Sequence, residues 1–363
     1  MRYLNNNEIF EDLFVLELAN NHLGDLNRGL KIISDYSKVV RFNNVKASIK
    51  LQLRDVKKFI HKDFINRNDI RYIKKTISTE LSKEDYQKMV EAIVQGGCIP
   101  MATPFDEKSV DLCVELGIKI IKIASSDIND WVLIEKIAKT KLPVIVSTGG
   151  SSLKDIDDLV TFFKNRNVPL AINHCVSLYP TNDDNLEMNQ IDFLRNRYKE
   201  NIIGFSTHEV GDLTSSIYIA YAKGARTFER HIDINWNDAK VSPYCSLPED
   251  IDKMLKAYNH AKRKCGGSGN TKRIPTIAEV NYLDALVRGV YAKKDLSAGH
   301  NITDDDVYLA IPLQKGQISC RELMKGEVLT KDIKKDEAIF IDAIDCPYSN
   351  LGILRDMIYK RGL

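Results

Sequence analysis

The sequence predicts a (β/α)8 TIM barrel followed by a small β-rich domain, and three observations lead there. Eight short apolar runs fall between about residues 14 and 233, and amphipathic stretches of helical period separate most of them. The chain has 363 residues, room for a barrel of about 250 residues and a smaller unit behind it. Alternating strands and helices imply a parallel sheet with right-handed crossovers. Eight such units imply closure.

The runs are 14–20, 45–52, 98–103, 118–125, 143–149, 170–175, 202–208 and 227–231. Most end in polar, reactive residues, as expected at the C-terminal rim where such barrels carry their chemistry. Between them, 106–116 places Val110, Cys113, Val114 and Leu116 on roughly one helical face, and 152–163 and 213–223 read the same way. The interval from Gln52 to Cys98 is too long for one helix. Its segment 54–83, charged and dotted with aromatics, is expected to rise above the rim and cover the substrate. A helix ending near Lys264 completes the barrel. The expected domains are therefore a barrel at 1–265, a linker at 266–288 that opens Gly-rich, and a small domain with a C-terminal tail at 289–363. In that last part the pattern at 289–299 partly recurs at 327–336, which suggests short strands and tight turns. A unit of about 60 residues is marginal alone and is expected to pack on a barrel.

Charged residues make up 28% of the chain with a net charge of +2, so no electrostatic argument favours a nucleic-acid or membrane partner. No apolar run nears the ~20 residues of a membrane span, and the N-terminus lacks the apolar core of a signal peptide. The seven cysteines, Cys98, Cys113, Cys175, Cys245, Cys265, Cys320 and Cys346, are odd in number and widely spaced, with no CxxC. They read as small apolar fillers in a reducing, cytoplasmic setting.

The strand ends carry the chemistry. Lys50 and Gln52 close the second run, Thr103 the third, Lys122 and Ser125 the fourth, Ser147 the fifth and Ser206 the seventh. Ammonium groups supply charge and hydroxyls aim hydrogen bonds, so together they suit a phosphate and a carboxylate. A mid-strand lysine facing the helices would be costly, which turns Lys50 and Lys122 inward. His208 and His231 end the last two runs, where a metal or general-base site is commonly built.

Eight segments stand in a telling order. They are Glu17-Leu18-Ala19-Asn20-Asn21-His22-Leu23-Gly24, Ile49-Lys50-Leu51-Gln52, Thr103-Pro104-Phe105-Asp106, Lys122-Ile123-Ala124-Ser125 and Ser147-Thr148-Gly149. The last three are His174-Cys175-Val176-Ser177-Leu178-Tyr179-Pro180-Thr181, Phe205-Ser206-Thr207-His208 and Phe228-Glu229-Arg230-His231. In this order they resemble the N-acetylneuraminate (sialic acid) synthase family. These are phosphoenolpyruvate-dependent nonulosonic acid synthases with a C-terminal antifreeze-like (SAF) domain. The resemblance implies that His208 and His231 bind a divalent metal, manganese first, with magnesium or cobalt as alternatives. It implies that Lys50, Thr103, Lys122, Ser125, Ser147, Ser177 and Ser206 hold phosphoenolpyruvate. It also implies that Gln52, Asp127 and Tyr179 touch the sugar and that Glu17 transfers a proton. A domain-swapped homodimer is implied as well. The expected reaction joins phosphoenolpyruvate to an N-acetylmannosamine-like aldose and releases phosphate. The alternative is a metal-dependent aldolase or isomerase on the same barrel that does not use phosphoenolpyruvate.

Three departures concern the sugar. Ser242 stands nearest the aspartate of the family's Gly-Pro-Asp stretch, Ile311 stands where its SAF domain has an arginine, and Thr207 replaces the aspartate of Ser-Asp-His. Arg321 is a candidate substitute for the missing guanidinium. Lost charged partners remove directional hydrogen bonds to a polyol. The sugar half is therefore expected to be rebuilt, with N-acetylmannosamine, a diacetamido-trideoxyhexose or another aldose as acceptor.

Overall fold

A computed structural model describes residues 7–237, 239–267, 269–322, 326–345 and 351–362. Eight strands close into a parallel barrel in chain order: β1 (Leu13–Ala19), β2 (Lys46–Leu53), β3 (Ile99–Pro104), β4 (Ile120–Ile123), β5 (Val144–Ser147), β6 (Leu170–Cys175), β7 (Ile202–Thr207) and β8 (Thr227–His231). The helices between them are α1 (Leu26–Asn43), α2 (Val56–Phe59), α3 (Arg71–Ser78), α4 (Lys83–Gln95), α5 (Glu107–Glu115), α6 (Trp131–Lys139), α7 (Leu153–Asn165), α8 (Gln190–Arg197) and α9 (Leu213–Ala222), with α10 (Pro248–Cys265) after the last strand. Their starts are chemically marked. Asp25, Ser82, Asp106, Asp130, Ser152 and Asp212 each accept a backbone N–H at a helix N-terminus, satisfying donors that the helix leaves open.

Strand residues alternate between faces, and here that alternation builds the site. In β1, Phe14, Leu16 and Leu18 join the helix-facing core. Leu13 and Val15 instead meet Met101, Ile120, Ile145 and Ala171 inside the barrel, with Phe10 from the segment before β1. One step further along the inner face, each strand turns polar: Glu17, Lys50, Thr103, Lys122, Ser147, Asn173, Ser206 and Glu229, none more than 6% exposed. The barrel thus has an apolar floor and a polar chamber above it. Gly204 is required between the two. A Cβ there would lie 1.8 Å from Thr227 Oγ1 and 2.2 Å from Asn173 Oδ1.

The described residues divide into two units after Gly266. The stretch expected as a linker carries a helix, α11 (Ile277–Asp284), capped by Thr276. Short antiparallel pairs follow: β9 (Gly289–Ala292) with β10 (Val307–Ala310), and β11 (Val328–Leu329) with β12 (Ile344–Asp345). The two recurrent stretches meet each other, Leu296 bridging Ile333 and Asn301 bridging Val328. Val290, Ile302, Ile318, Ile333, Ile339, Ile341 and Ile344 form this unit's own core. The expected tail is not featureless: it holds α12 (Gly352–Tyr359), whose Ile358 enters that core. Asp306 accepts hydrogen bonds from Thr303 and His300 and pairs with Lys294 at 2.8 Å.

Cys98, Cys113, Cys175 and Cys245 are buried and free, Cys265 and Cys320 exposed and free. Cys346 lies outside the described residues. No helix among the described residues is long and apolar enough to cross a membrane.

Candidate active site at the barrel mouth

The polar ends of the strands surround a cavity of about 650 Å³. Four buried charges line its wall. The Lys50 ammonium is ion-paired with Glu17 and lies 2.7 Å from Glu229 Oε1. Lys122 donates to Ser147 Oγ at 2.7 Å and stands 3.8 Å from Glu229 Oε2. Asn173 donates to the same Glu229 oxygen at 3.4 Å, and accepts from Thr227 at 2.5 Å. Two carboxylates therefore share two ammonium groups away from bulk water.

Their proton affinities are pulled apart. Burial raises that of Glu17, and the negative Glu229 adds to it, against the opposing pull of Lys50. Burial acts on Glu229 too, but Lys122 and Lys50 together overcome it and hold the carboxyl below its ordinary value. Burial lowers Lys122, while Lys50, flanked by both carboxylates, is raised despite its own burial. Where environments separate two titrating groups in this way, the one with the raised affinity is suited to moving a proton. Here that is Glu17.

His208 and His231 come from the tip of β7 and the end of β8, and their rings lie 5.3 Å apart. His208 Nδ1 is 3.0 Å from the Val176 carbonyl. A carbonyl only accepts, so Nδ1 carries the proton and Nε2 keeps its lone pair. Burial lowers His208 to about 4 and takes His231 well below its usual value. Both rings are therefore neutral near pH 7, as a metal requires of imidazole ligands. A backbone carbonyl fixing the far nitrogen is the usual support for such a ligand. The pair fits a divalent ion with bonds of ~2.1 Å. Among the described residues no group of three or more His, Cys, Asp or Glu side chains is arranged as a metal site, so a bound ion would take its remaining ligands from water or substrate. Tyr179 lies over His208 with ring centroids 3.9 Å apart, and Tyr244 stands 5.3 Å from His231 and from Tyr179.

The cavity is lined by Glu17, Lys50, Gln52, Thr103, Lys122, Ser125, Ser147, Ser177, Tyr179, Ser206, His208 and His231. Asp127 is the exception among the residues singled out from sequence. Ser125–Asp127 forms a 3₁₀ turn, whose successive side chains point about 120° apart, and it is Ser125 and Ser126 that reach the cavity. Two lining atoms, Glu17 Oε1 and Thr103 Oγ1, are buried without a protein hydrogen-bond partner among the described residues. Leaving such atoms unsatisfied costs roughly 1–3 kcal/mol each, so both point to a polar ligand.

Sequence reasoning missed Glu229 and Asn173 as members of the site. The signal was available: they share strand parity with His231 and Cys175. It also missed Arg54, Arg71, Tyr72, Lys75 and Thr76, which line the cavity from the segment after β2. As expected, that segment stands over the mouth.

The NeuB family model matches residues 40–270, and the SAF domain model matches residues 287–345. Among solved structures, one from Chromobacterium violaceum ATCC 12472, assigned as spore coat polysaccharide biosynthesis protein E, superposes with a TM-score of 0.88. It shows 36% identity and covers 93% of this chain and 100% of its own. The N-acetylneuraminic acid (sialic acid) synthetase of Leptospira borgpetersenii, solved with citrate, gives 0.66 and 27% identity over 77% of this chain and 91% of its own. The N,N'-diacetyllegionaminic acid synthase of Campylobacter jejuni is 27% identical over 90% of this chain and 98% of its own.

Proposed function

The chain belongs to the NeuB family, and from that premise we propose that it is a nonulosonic acid synthase. It condenses phosphoenolpyruvate with an N-acetylmannosamine-like aldose to give a 2-keto-3-deoxy sugar acid and phosphate. The observation that carries the reading is the charge cluster Glu17–Lys50–Glu229–Lys122, set at the same mouth as two neutral histidines.

In this reading Lys122, Ser125, Ser147, Thr103, Ser177 and Ser206 hold the enol phosphate, with Lys50 supplying charge from the centre of the cluster. C3 of the enol attacks the aldehyde carbon, and the electron deficit left at C2 is quenched by water. Glu17 takes a proton from that water, and a proton returns to the alkoxide left at the former aldehyde. The C2 hydroxyl then gives up its proton to become the keto group as the C–O bond to phosphate breaks with its electrons leaving on phosphate. His208 and His231 would hold the divalent ion, manganese first, which when bound polarises the aldehyde oxygen. Gln52 and Tyr179 face the sugar.

A cytoplasmic setting agrees with free cysteines. A homodimer with exchanged SAF domains completes the proposal, and sedimentation of the full chain against one ending at residue 288 tests it. A dimer that loses both turnover and assembly on truncation is expected; a fully active truncated chain would refute it. The reaction itself is tested by incubating the full chain with phosphoenolpyruvate, manganese and a panel of aldoses. Phosphate release coupled to a product three carbons longer is expected. Aldose conversion that proceeds equally without phosphoenolpyruvate would replace this reading with an aldolase or isomerase.

A further inference from the structure

The charges around the mouth do not cancel. In the inner wall two ammonium groups face two carboxylates, Lys50 and Lys122 against Glu17 and Glu229. Further out, Arg54, Arg71 and Lys75 line the same cavity, and none of the three is ion-paired among the described residues. Arg54 is held in place: its guanidinium lies 3.7 Å from the Phe105 ring centre and donates to Gln52 Oε1 at 3.1 Å. Arg71 and Lys75 sit on α3, one turn apart, on the face that meets the cavity with Tyr72 and Thr76. Among the described residues neither has a protein acceptor for its charge.

Their position separates them from the enol phosphate. The hydroxyls and Lys122 that suit that ligand come from β3 to β7, with Ser147 at the end of β5 and Ser125 and Ser177 just beyond β4 and β6. Lys75 belongs to the opposite wall: the end of its helix lies on the turn after β1, where a Cβ on Gly24 would stand 2.7 Å from the Ser78 carbonyl, and β1 pairs with β8. That is the histidine side, where the reading above seats the aldose. The cavity's volume leaves room there for a second polar molecule beside a three-carbon enol phosphate.

We propose that the acceptor aldose carries an anionic group, a phosphate ester or a carboxylate, held by Arg71 and Lys75 with Arg54 beside them. The proposal rests on the synthase reading and narrows its substrate class. An arginine and a lysine offer a forked donor and a point charge to one anion, and both are lost to water if the acceptor is neutral.

The test is calorimetric binding of three probes to the full chain with manganese: N-acetylmannosamine, its 6-phosphate and its 6-carboxylate. At least one anionic probe should bind roughly tenfold or more tighter than the neutral sugar, the lower end for a charge-assisted hydrogen bond. Which one does so identifies the anion. The preference should vanish in Arg71→Gln/Lys75→Gln and persist in Lys75→Arg, with melting curves confirming that both variants fold. Equal affinity for all three probes would overturn the inference, as would a preference that survives in the double variant. So would mutual exclusion of phosphoenolpyruvate and the tight probe, which would assign these cations to the enol phosphate. Phosphate release is then measured with each probe. Tight anionic binding without release from phosphoenolpyruvate would sink the synthase reading alone. Release with the neutral sugar only would sink the anionic acceptor and leave that reading standing.

Discussion

Replacing Glu229 by glutamine removes the one carboxylate that both buried lysines share. It lies 2.7 Å from Lys50 and 3.8 Å from Lys122. At an effective dielectric of about 20, those separations correspond to gross attractions of about 6 and about 4 kcal/mol. Most of that offsets the cost of taking the charges out of water, so the net loss on breaking a buried pair is about 3–5 kcal/mol. Glutamine still offers Lys50 an oxygen, and Lys122 sheds its proton more readily because burial already lowers its affinity. The lower end, about 3 kcal/mol, is expected. For a unit the size of the barrel, about 2–4 °C are lost per kcal/mol, so the melting temperature should fall by roughly 6–12 °C at pH 7. The sharper measurement is a double-mutant cycle with Lys122→Met. In the wild type that change leaves Glu229 with Lys50 as its one remaining ammonium partner; in the Glu229→Gln protein it removes a lysine that has already lost its carboxylate. The two costs should therefore differ by more than about 1 kcal/mol. Additive melting shifts would show that Glu229 and Lys122 do not stabilise one another, and the charge balance drawn for the site would be wrong.

Other consequences are as direct. His208→Ala and His231→Ala should each weaken manganese binding at least tenfold in equilibrium dialysis, since losing even an outer-shell partner of a ligand typically costs about 10- to 100-fold; unchanged affinity in either removes that residue from the proposed metal site. Lys122→Ala should weaken phosphoenolpyruvate binding by roughly 10- to 150-fold, the range for a charge-assisted hydrogen bond. An unaltered dissociation constant would reassign the anion seat. In the second unit, Lys294, His300 and Thr303 hold the Asp306 carboxyl well below its ordinary value. A depressed carboxyl stabilises the fold above its unfolded pKa, about 3.9, and loses that contribution as pH falls through the folded value. Asp306→Asn should therefore lower the melting temperature at pH 7, with the gap to wild type closing below about pH 4. A gap independent of pH would mean that packing, not charge, is what Asp306 supplies.

The barrel is legible in the sequence because each strand states its two faces. Leu13, Val15 and Glu17 share one parity and Phe14, Leu16 and Leu18 the other, so the floor and the polar chamber can be read before any coordinate is known. Lys50, Lys122 and the histidines fall out of the same rule. Glu229 and Asn173 obey it equally and were overlooked because neither ends its run. Asp127 misleads for a different reason. Just past the end of β4 the backbone winds into a 3₁₀ turn, and strand parity no longer says which side chain faces inward. The cations of α3 are visible as composition in the segment 54–83, but which of its many charges meet the cavity depends on how that helix lies. Likewise α12 follows residues with no strong periodic signal, and its eight residues are too few to declare a face.

One feature of the closure reaches beyond catalysis. The chamber is finished by the first and last strands together: Glu17 stands beside His231 in register, and Asn21 donates to the Ile232 carbonyl, 211 positions further on. Lys50 likewise finds Glu229 only 179 positions later. During synthesis the ribosome releases the half-site on β1 and β2 long before the half-site on β7 and β8 exists. Until then the nascent chain carries a buried-type glutamate and lysine with no second carboxylate and a sheet with two open edges, a form exposed to edge pairing with other chains. The charge cluster and the histidine pair both stay incomplete over the same interval. Competence for chemistry and completion of the fold therefore arrive in a single event, the docking of β8 against β1.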